Sequence, residues 1–186
     1  PFVECLTPFS DDPALPTGEL FRRFSPTGRV PCLVDGEITV WESLAIVEYL
    51  AERHPGVWPA DAAARAWARS ACAEMHAGFG ALRNLHSMSC GVRVEVRQRP
   101  AELLADIARV EALWNEGLAR FGGPFLAGAE FSAADAFFAP VAFRFQTYGV
   151  AVAGPAAAYL ARLLALPGMR DWEAAALLET RREPGH

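Results

Sequence analysis

Little in this sequence could build a membrane anchor, a disulfide scaffold or a surface for a polyanion. Its longest uncharged stretch, residues 145–161, is shorter than the roughly 20 apolar residues a spanning helix needs, and Gln146, Gly149, Gly154 and Pro155 interrupt it. The start, Pro1-Phe2-Val3-Glu4, has neither a basic leader nor a long apolar run, so no secretory signal is read there. Cysteines number four, Cys5, Cys32, Cys72 and Cys90, and their spacing fits neither a disulfide framework nor a zinc finger. Cys72 and His76, and again His86 and Cys90, stand one helical turn apart, but neither pair has the usual spacing of a metal site and Cys72 falls on an apolar stripe; no metal is expected. Basic residues nowhere crowd into a dense patch, and a formal net charge of −5 disfavours nucleic acid as a partner. The expectation is a cytoplasmic protein with reduced thiols, no membrane contact and small molecules as partners.

What the chain does have is core-forming material. Apolar residues make up 52% and charged residues 21%, the composition of a well-packed globule. The pattern changes near residue 54. Before it, short β-prone runs alternate with Gly, Pro and Asp; after it come long alanine- and leucine-rich segments with helical periodicity. We read residues 1–53 as an α/β domain, 54–61 as a linker with two prolines and a glycine anchored by Trp58, and 62–186 as an all-helical domain.

In the first part, residues 2–6 read as a strand, and Thr17 can cap a short helix that buries Leu20, Phe21 and Phe24. Cys32-Leu33-Val34 and Ile38-Thr39-Val40-Trp41 form a hairpin about Asp35-Gly36-Glu37, a strong turn signal. Glu42-Ser43 then opens a helix to about Arg53. In the second part a long helix from about Asp61 places Ala68, Cys72, Met75, Phe79 and Leu82 on one stripe and Arg65, Arg69, His76 and Arg83 on its neighbour, the latter either a solvated face, a dimer interface or a cleft. A helix after Pro100 carries Leu103, Ile107, Val110 and Trp114 and stops at Gly122-Gly123-Pro124. Ser132-Ala133-Ala134-Asp135 is a capping-box variant that starts another, and two more follow Pro155 and Pro167.

Two adjacent features carry chemistry. Arg29-Val30-Pro31 precedes a β-prone run; a cis Val30–Pro31 bond would expose the amide and carbonyl of Val30 to an extended, peptide-like ligand. Trp41-Glu42-Ser43 sits where a strand meets a helix, so free amides and the positive end of the helix dipole suit a carboxylate, while Glu42 suits an ammonium. Taken singly, Pro31 is a turn and Ser43 an N-cap; together they can hold both charged groups of an amino acid.

The run Ser25-Pro26-Thr27-Gly28-Arg29-Val30-Pro31-Cys32-Leu33-Val34-Asp35-Gly36, with Trp41-Glu42-Ser43-Leu44-Ala45-Ile46-Val47-Glu48-Tyr49-Leu50, resembles the glutathione-site signature of the glutathione transferases. Phe131-Ser132-Ala133-Ala134-Asp135-Ala136 is similar to that family's capped helix. The resemblance implies a thioredoxin-like domain followed by an all-helical one, glutathione as co-substrate, a small hydrophobic electrophile as second substrate, and a homodimer. It implies that Arg29, Val30, Pro31, Glu42 and Ser43 bind glutathione, Val30 by backbone pairing and Glu42 and Ser43 at the γ-glutamyl end, and that Phe79, Arg83 and Tyr148 contribute to the second-substrate pocket. The segment 2–6 is similar to the family's second strand. The preceding strand and helix, about 20–25 residues, and with them the group that activates the thiol, are therefore expected outside residues 1–186, leaving no catalytic residue within. The implied activity is attack of glutathione thiolate on an electrophile, detoxification chemistry, with a glutathione-dependent isomerase or dehalogenase, or a non-catalytic glutathione-binding or interaction module, as alternatives.

Overall fold

The computed structural model describes residues 2–179. The chain divides between Pro55 and Gly56 into two compact units, and the division falls within the proline-containing segment 54–61.

The first unit is α/β. It contains α1 (Thr17–Phe21), β1 (Cys32–Asp35), β2 (Ile38–Trp41) and α2 (Ser43–Ala51). The strands pair antiparallel in the register Cys32↔Trp41, Leu33↔Val40, Val34↔Thr39 and Asp35↔Ile38. Gly36, at φ 62°, takes the first position of the two-residue turn, where a hairpin needs a residue tolerant of positive φ. Phe21 is buried with the rings of Phe9 and Phe24 at 5.9 and 5.6 Å.

Two local expectations fail here. Residues 2–6 form no strand: a strand needs a neighbour to share its ladder, none pairs with this segment among the described residues, and Phe2, Val3 and Leu6 lie exposed. Thr17 is not the cap of α1, which starts after Pro16; its hydroxyl instead accepts the Ser10 amide at 3.1 Å and folds the preceding loop onto the helix.

The second unit is all helix among the described residues: α3 (Ala62–Ala77), α4 (Gly80–Leu85), α5 (Ala101–Phe121), α6 (Ala133–Thr147), α7 (Gly154–Leu164) and α8 (Pro167–Leu178). Asp61 caps α3, accepting the Ala64 amide at 2.8 Å. The single long helix expected from residue 61 is broken at Gly78-Phe79, where Phe79 takes left-handed dihedrals (φ 58°) and turns its ring into the core. Glycine on either side of Phe79 lowers the cost of interruption. Both broken ends are then satisfied: the Arg83 guanidinium donates to the carbonyls of Met75, His76 and Gly78, and the Asp106 carboxylate accepts the Leu82 amide at 2.9 Å.

At the centre of this unit Trp114 of α5 meets Phe138 and Phe145 of α6 and Tyr159 of α7, with ring centroids 5.9, 5.4 and 5.1 Å away. Asp135 is wholly buried beside them. The capping box at Ser132 forms, and one Asp135 oxygen accepts the Ser132 amide (2.9 Å) and hydroxyl (3.2 Å). The other accepts the Leu126 amide and the Tyr159 hydroxyl, both at 3.0 Å. Burial raises the Asp135 pKa, and the four donors act against that rise.

Candidate functional site

The register of the hairpin decides which residues meet. Cys32↔Trp41 is its terminal pair, so Arg29-Val30-Pro31, which leads into β1, and Glu42-Ser43, which leaves β2, lie at one end of the two-stranded sheet. Motifs eleven or more positions apart in sequence thus become neighbours through ladder hydrogen bonds alone.

The arm 29–31 is aimed by the turn before it. Ser25, buried, accepts the Gly28 amide at 3.0 Å, with Pro26 in the position a β-turn favours. Gly28 sits at φ 67°, and a Cβ there would lie 2.5 Å from the Gly18 carbonyl oxygen, so only glycine lets this turn close against α1. The Val30–Pro31 bond is cis. Val30 is 53% exposed, and its backbone amide and carbonyl have no hydrogen-bond partner among the described residues. Arg29 is exposed on the same arm and pairs with no described carboxylate.

Glu42 precedes α2 at φ 70° and ψ 125°, a region that residues other than glycine occupy only when their surroundings hold them there. No side chain caps the helix, so the first-turn amides from Ser43 onward carry the positive end of the α2 dipole outward. Ser43 is the first helical residue and is half-buried. The arrangement offers a carboxylate, a hydroxyl and free helix amides beside an exposed extended backbone edge. It can take the ammonium and carboxylate of an amino acid and the backbone of the residue that follows.

One anchoring group escaped sequence reasoning. At the far end of the hairpin Asp35 accepts the Tyr49 hydroxyl at 2.7 Å and is bridged by Arg53, whose guanidinium lies 4.5 Å over the Tyr49 ring. The Tyr49 hydrogen bond, then that of Arg53, holds the Asp35 carboxyl below its ordinary value, and the same bond to Asp35 raises the Tyr49 hydroxyl. These contacts tie the hairpin turn to the C-terminal end of α2, opposite the end that presents Glu42 and Ser43. Tyr49 in α2 and Arg53 just past its end stand four positions apart, which was the available signal.

The residues expected around a second substrate lie in the helical unit, in different settings. Phe79 is 6% exposed at the α3–α4 break. Arg83 caps α3 as described. Tyr148 follows α6, with its ring stacked on that of His86 at 4.1 Å and its hydroxyl 3.0 Å from that of Ser87. Of the remaining arginine stripe, Arg65 donates to the carbonyls of Pro59 and Ala60 (2.9 and 2.7 Å), and Arg69 lies 5.4 Å over buried Trp58.

Comparison with known proteins gives the same two-part organisation. Residues 4–53 match the sequence family described as "Glutathione S-transferase, N-terminal domain" and residues 95–175 match "Glutathione S-transferase, C-terminal domain". A dichloromethane dehalogenase of Methylophilus leisingeri is 46% identical over 52 residues, 28% of this chain and 18% of that protein, so the matched stretch is a minor part of that relative's length. A stringent starvation protein A homologue of Pasteurella multocida is 27% identical over 158 residues, 82% of this chain and 70% of that protein. Among solved structures, the theta class glutathione S-transferase of Xanthomonas axonopodis pv. citri with glutathione bound is 27% identical and covers 91% of this chain and 79% of that one, at a TM-score of 0.58.

Proposed function

Because the chain belongs to the glutathione S-transferase family, we propose that its first unit holds glutathione through Arg29, Val30, Pro31, Glu42 and Ser43 and that the protein conjugates it to a small hydrophobic electrophile. The single observation that carries the reading is the register of the hairpin, which puts an exposed peptide edge and an uncapped helix start, preceded by a strained glutamate, at one end of one sheet. Glutathione presents the matching groups: an ammonium and a carboxylate at its γ-glutamyl end and a cysteinyl backbone beyond them. Glu42 takes the ammonium, the α2 amides and the Ser43 hydroxyl take the carboxylate, and Val30 pairs with the cysteinyl unit.

In the reaction the thiol gives up its proton, the sulfur forms a bond to an electrophilic carbon, and the leaving group departs with its electron pair. The nucleophile is therefore the ligand's sulfur, and the residues named here bind and orient it. A homodimer in the cytoplasm is the assembly and setting that accompany this reading. No helix among the described residues is long and apolar enough to cross a membrane.

The dehalogenase match supports a halogenated carbon as one electrophile to try, and the starvation-protein match supports a second reading, a glutathione-binding or interaction module without turnover. Calorimetric titration of glutathione into the protein and into Ser43→Ala, followed by conjugation assays on the same samples, separates them. Loss of the Ser43 hydroxyl should weaken binding about 5- to 30-fold, the equivalent of ~1–2 kcal/mol. Equal affinity in the two proteins would overturn the assignment of the site; binding without turnover would favour the second reading.

A further inference from the structure

In the helical unit, arginine is used in two ways. Arg93, Arg109 and Arg120 are paired with carboxylates, those of Glu173, Glu74 and Glu116. Arg83, Arg99 and Arg144 are not. Arg83 donates to the carbonyls at the end of α3, Arg99 to those of Tyr148 (2.6 Å) and Gly149, and the Arg144 Nε to that of His86 (2.8 Å). No described carboxylate pairs with any of the three. Asp106 of α5, which contacts α4, accepts the Leu82 amide at 2.9 Å.

Beside Arg99 and Arg144 is His86, 2% exposed, its ring lying parallel to that of Tyr148. Among the described residues neither His86 ring nitrogen has a hydrogen-bond partner, and neither has the Arg99 Nε. Burial, then Arg99 and Arg144, hold the imidazole below its ordinary pKa; burial and the nearby Arg83 likewise depress Arg144. The cluster has an excess of positive charge and of N–H donors. What would satisfy it is an acceptor with negative charge, and guanidinium forks match the geometry of oxyanions.

We propose that Arg99 and Arg144, which donate to the Tyr148 and His86 carbonyls beside the stacked ring pair, form with Arg83 next to Arg144 a binding site in the helical unit for a small oxyanion, of the carboxylate or sulfate type. The site lies wholly within residues 83–148 and does not depend on the glutathione reading. The anion compensates the guanidinium charge that the fold leaves unpaired. It also lowers the cost of protonating His86, whose facing charged and titratable groups are Arg99 from the segment before α5 and Arg144 and Tyr148 from α6 and its end, with Arg83 of α4 next to Arg144.

The chain has four histidines, so the His86 ring resonances can be followed directly by NMR in the full-length protein. Sodium sulfate and sodium benzoate are titrated separately against sodium chloride at matched ionic strength, which distinguishes a free inorganic anion from an organic carboxylate. A saturable shift of the His86 resonances is expected with at least one probe, together with a rise in its titration midpoint. The shift should vanish in Arg144→Gln and persist in Arg162→Gln, whose guanidinium caps the Pro124 carbonyl elsewhere. Should Arg144→Gln fail to fold, Arg144→Lys keeps the charge without the fork and should weaken the apparent affinity at least fivefold. A His86 signal that does not move, drifts without saturating, or responds equally in the Arg144 variants would overturn the proposal.

Discussion

Glu42 is the residue at which ligand binding and fold stability should pull in opposite directions. Its φ of 70° costs about 1–3 kcal/mol for a residue with a Cβ. Glycine adopts such dihedrals freely but loses about 0.5–1 kcal/mol more backbone entropy on folding. Glu42→Gly should therefore stabilise the protein by a net ~0–2.5 kcal/mol. The same change removes the carboxylate assigned to the glutathione ammonium. A hydrogen bond to a charged group contributes ~1.5–3 kcal/mol, so affinity should fall roughly ten- to a hundredfold. Glu42→Gln isolates the charge: the backbone stays strained, stability moves by less than about 0.5 kcal/mol, and binding still weakens. Thermal unfolding and calorimetric titration of the three proteins read both quantities. If Glu42→Gly unfolds earlier than the parent, or binds glutathione equally well, the reasoning from strain to ligand contact fails.

Other perturbations test the framework around that site. Asp135→Asn keeps an acceptor for Leu126 and Tyr159 but turns an amide group toward the Ser132 amide, orphaning a buried donor; denaturant unfolding should show a loss of about 2–3 kcal/mol. Because burial raises the Asp135 pKa, stability in the parent should fall as pH rises from the ordinary 3.8 through the raised folded value, a slope that Asn removes. Asp35 has the opposite sign: its depressed pKa means that its contribution is complete above 3.8 and is lost as pH falls through the folded value, so Asp35→Asn should flatten the acid limb of unfolding. At Gly117 a Cβ would lie 2.4 Å from the Trp67 ring and 2.5 Å from the Leu126 carbonyl oxygen; Gly117→Ala should cost ~1–3 kcal/mol in chemical denaturation and shift the Trp67 fluorescence.

Which features were legible follows from how local their causes are. The helix α5 was readable because Pro100 and Gly122 bracket it and Leu103, Ile107, Val110 and Trp114 keep a helical stripe between them. The start of α6 was readable because both members of its capping box lie within four residues. The hairpin was readable from Asp35-Gly36. The break at Phe79 was not, because the apolar stripe runs unbroken from Cys72 to Leu82 and periodicity sees no interruption. Its decisive partners, Arg83 reaching back to α3 and Asp106 reaching across from α5, come from the fold. Residues 2–6 failed for a related reason: β-propensity describes how a segment fits beside a neighbour, and a segment with no neighbour gains nothing from it.

The same distinction explains why the site in the first unit could be read while its support could not. The proposed ligand contacts are backbone groups and residues that bound regular elements: the edge at Val30, the first amides of α2, the glutamate that precedes them. Such contacts are signalled by proline, glycine and capping residues, which act within a few positions. Their aim, however, depends on where α2 points. That rests on its packing against both strands and on Asp35, Tyr49 and Arg53, separated by 14 and 18 positions and meeting only after the hairpin has closed. Local sequence thus specifies the groups that touch the ligand, and long-range pairing specifies their common direction. The balance also bears on the strain at Glu42: α2 has no fully buried residue, so its entry is tied to the strand pair and its far end to the polar clasp.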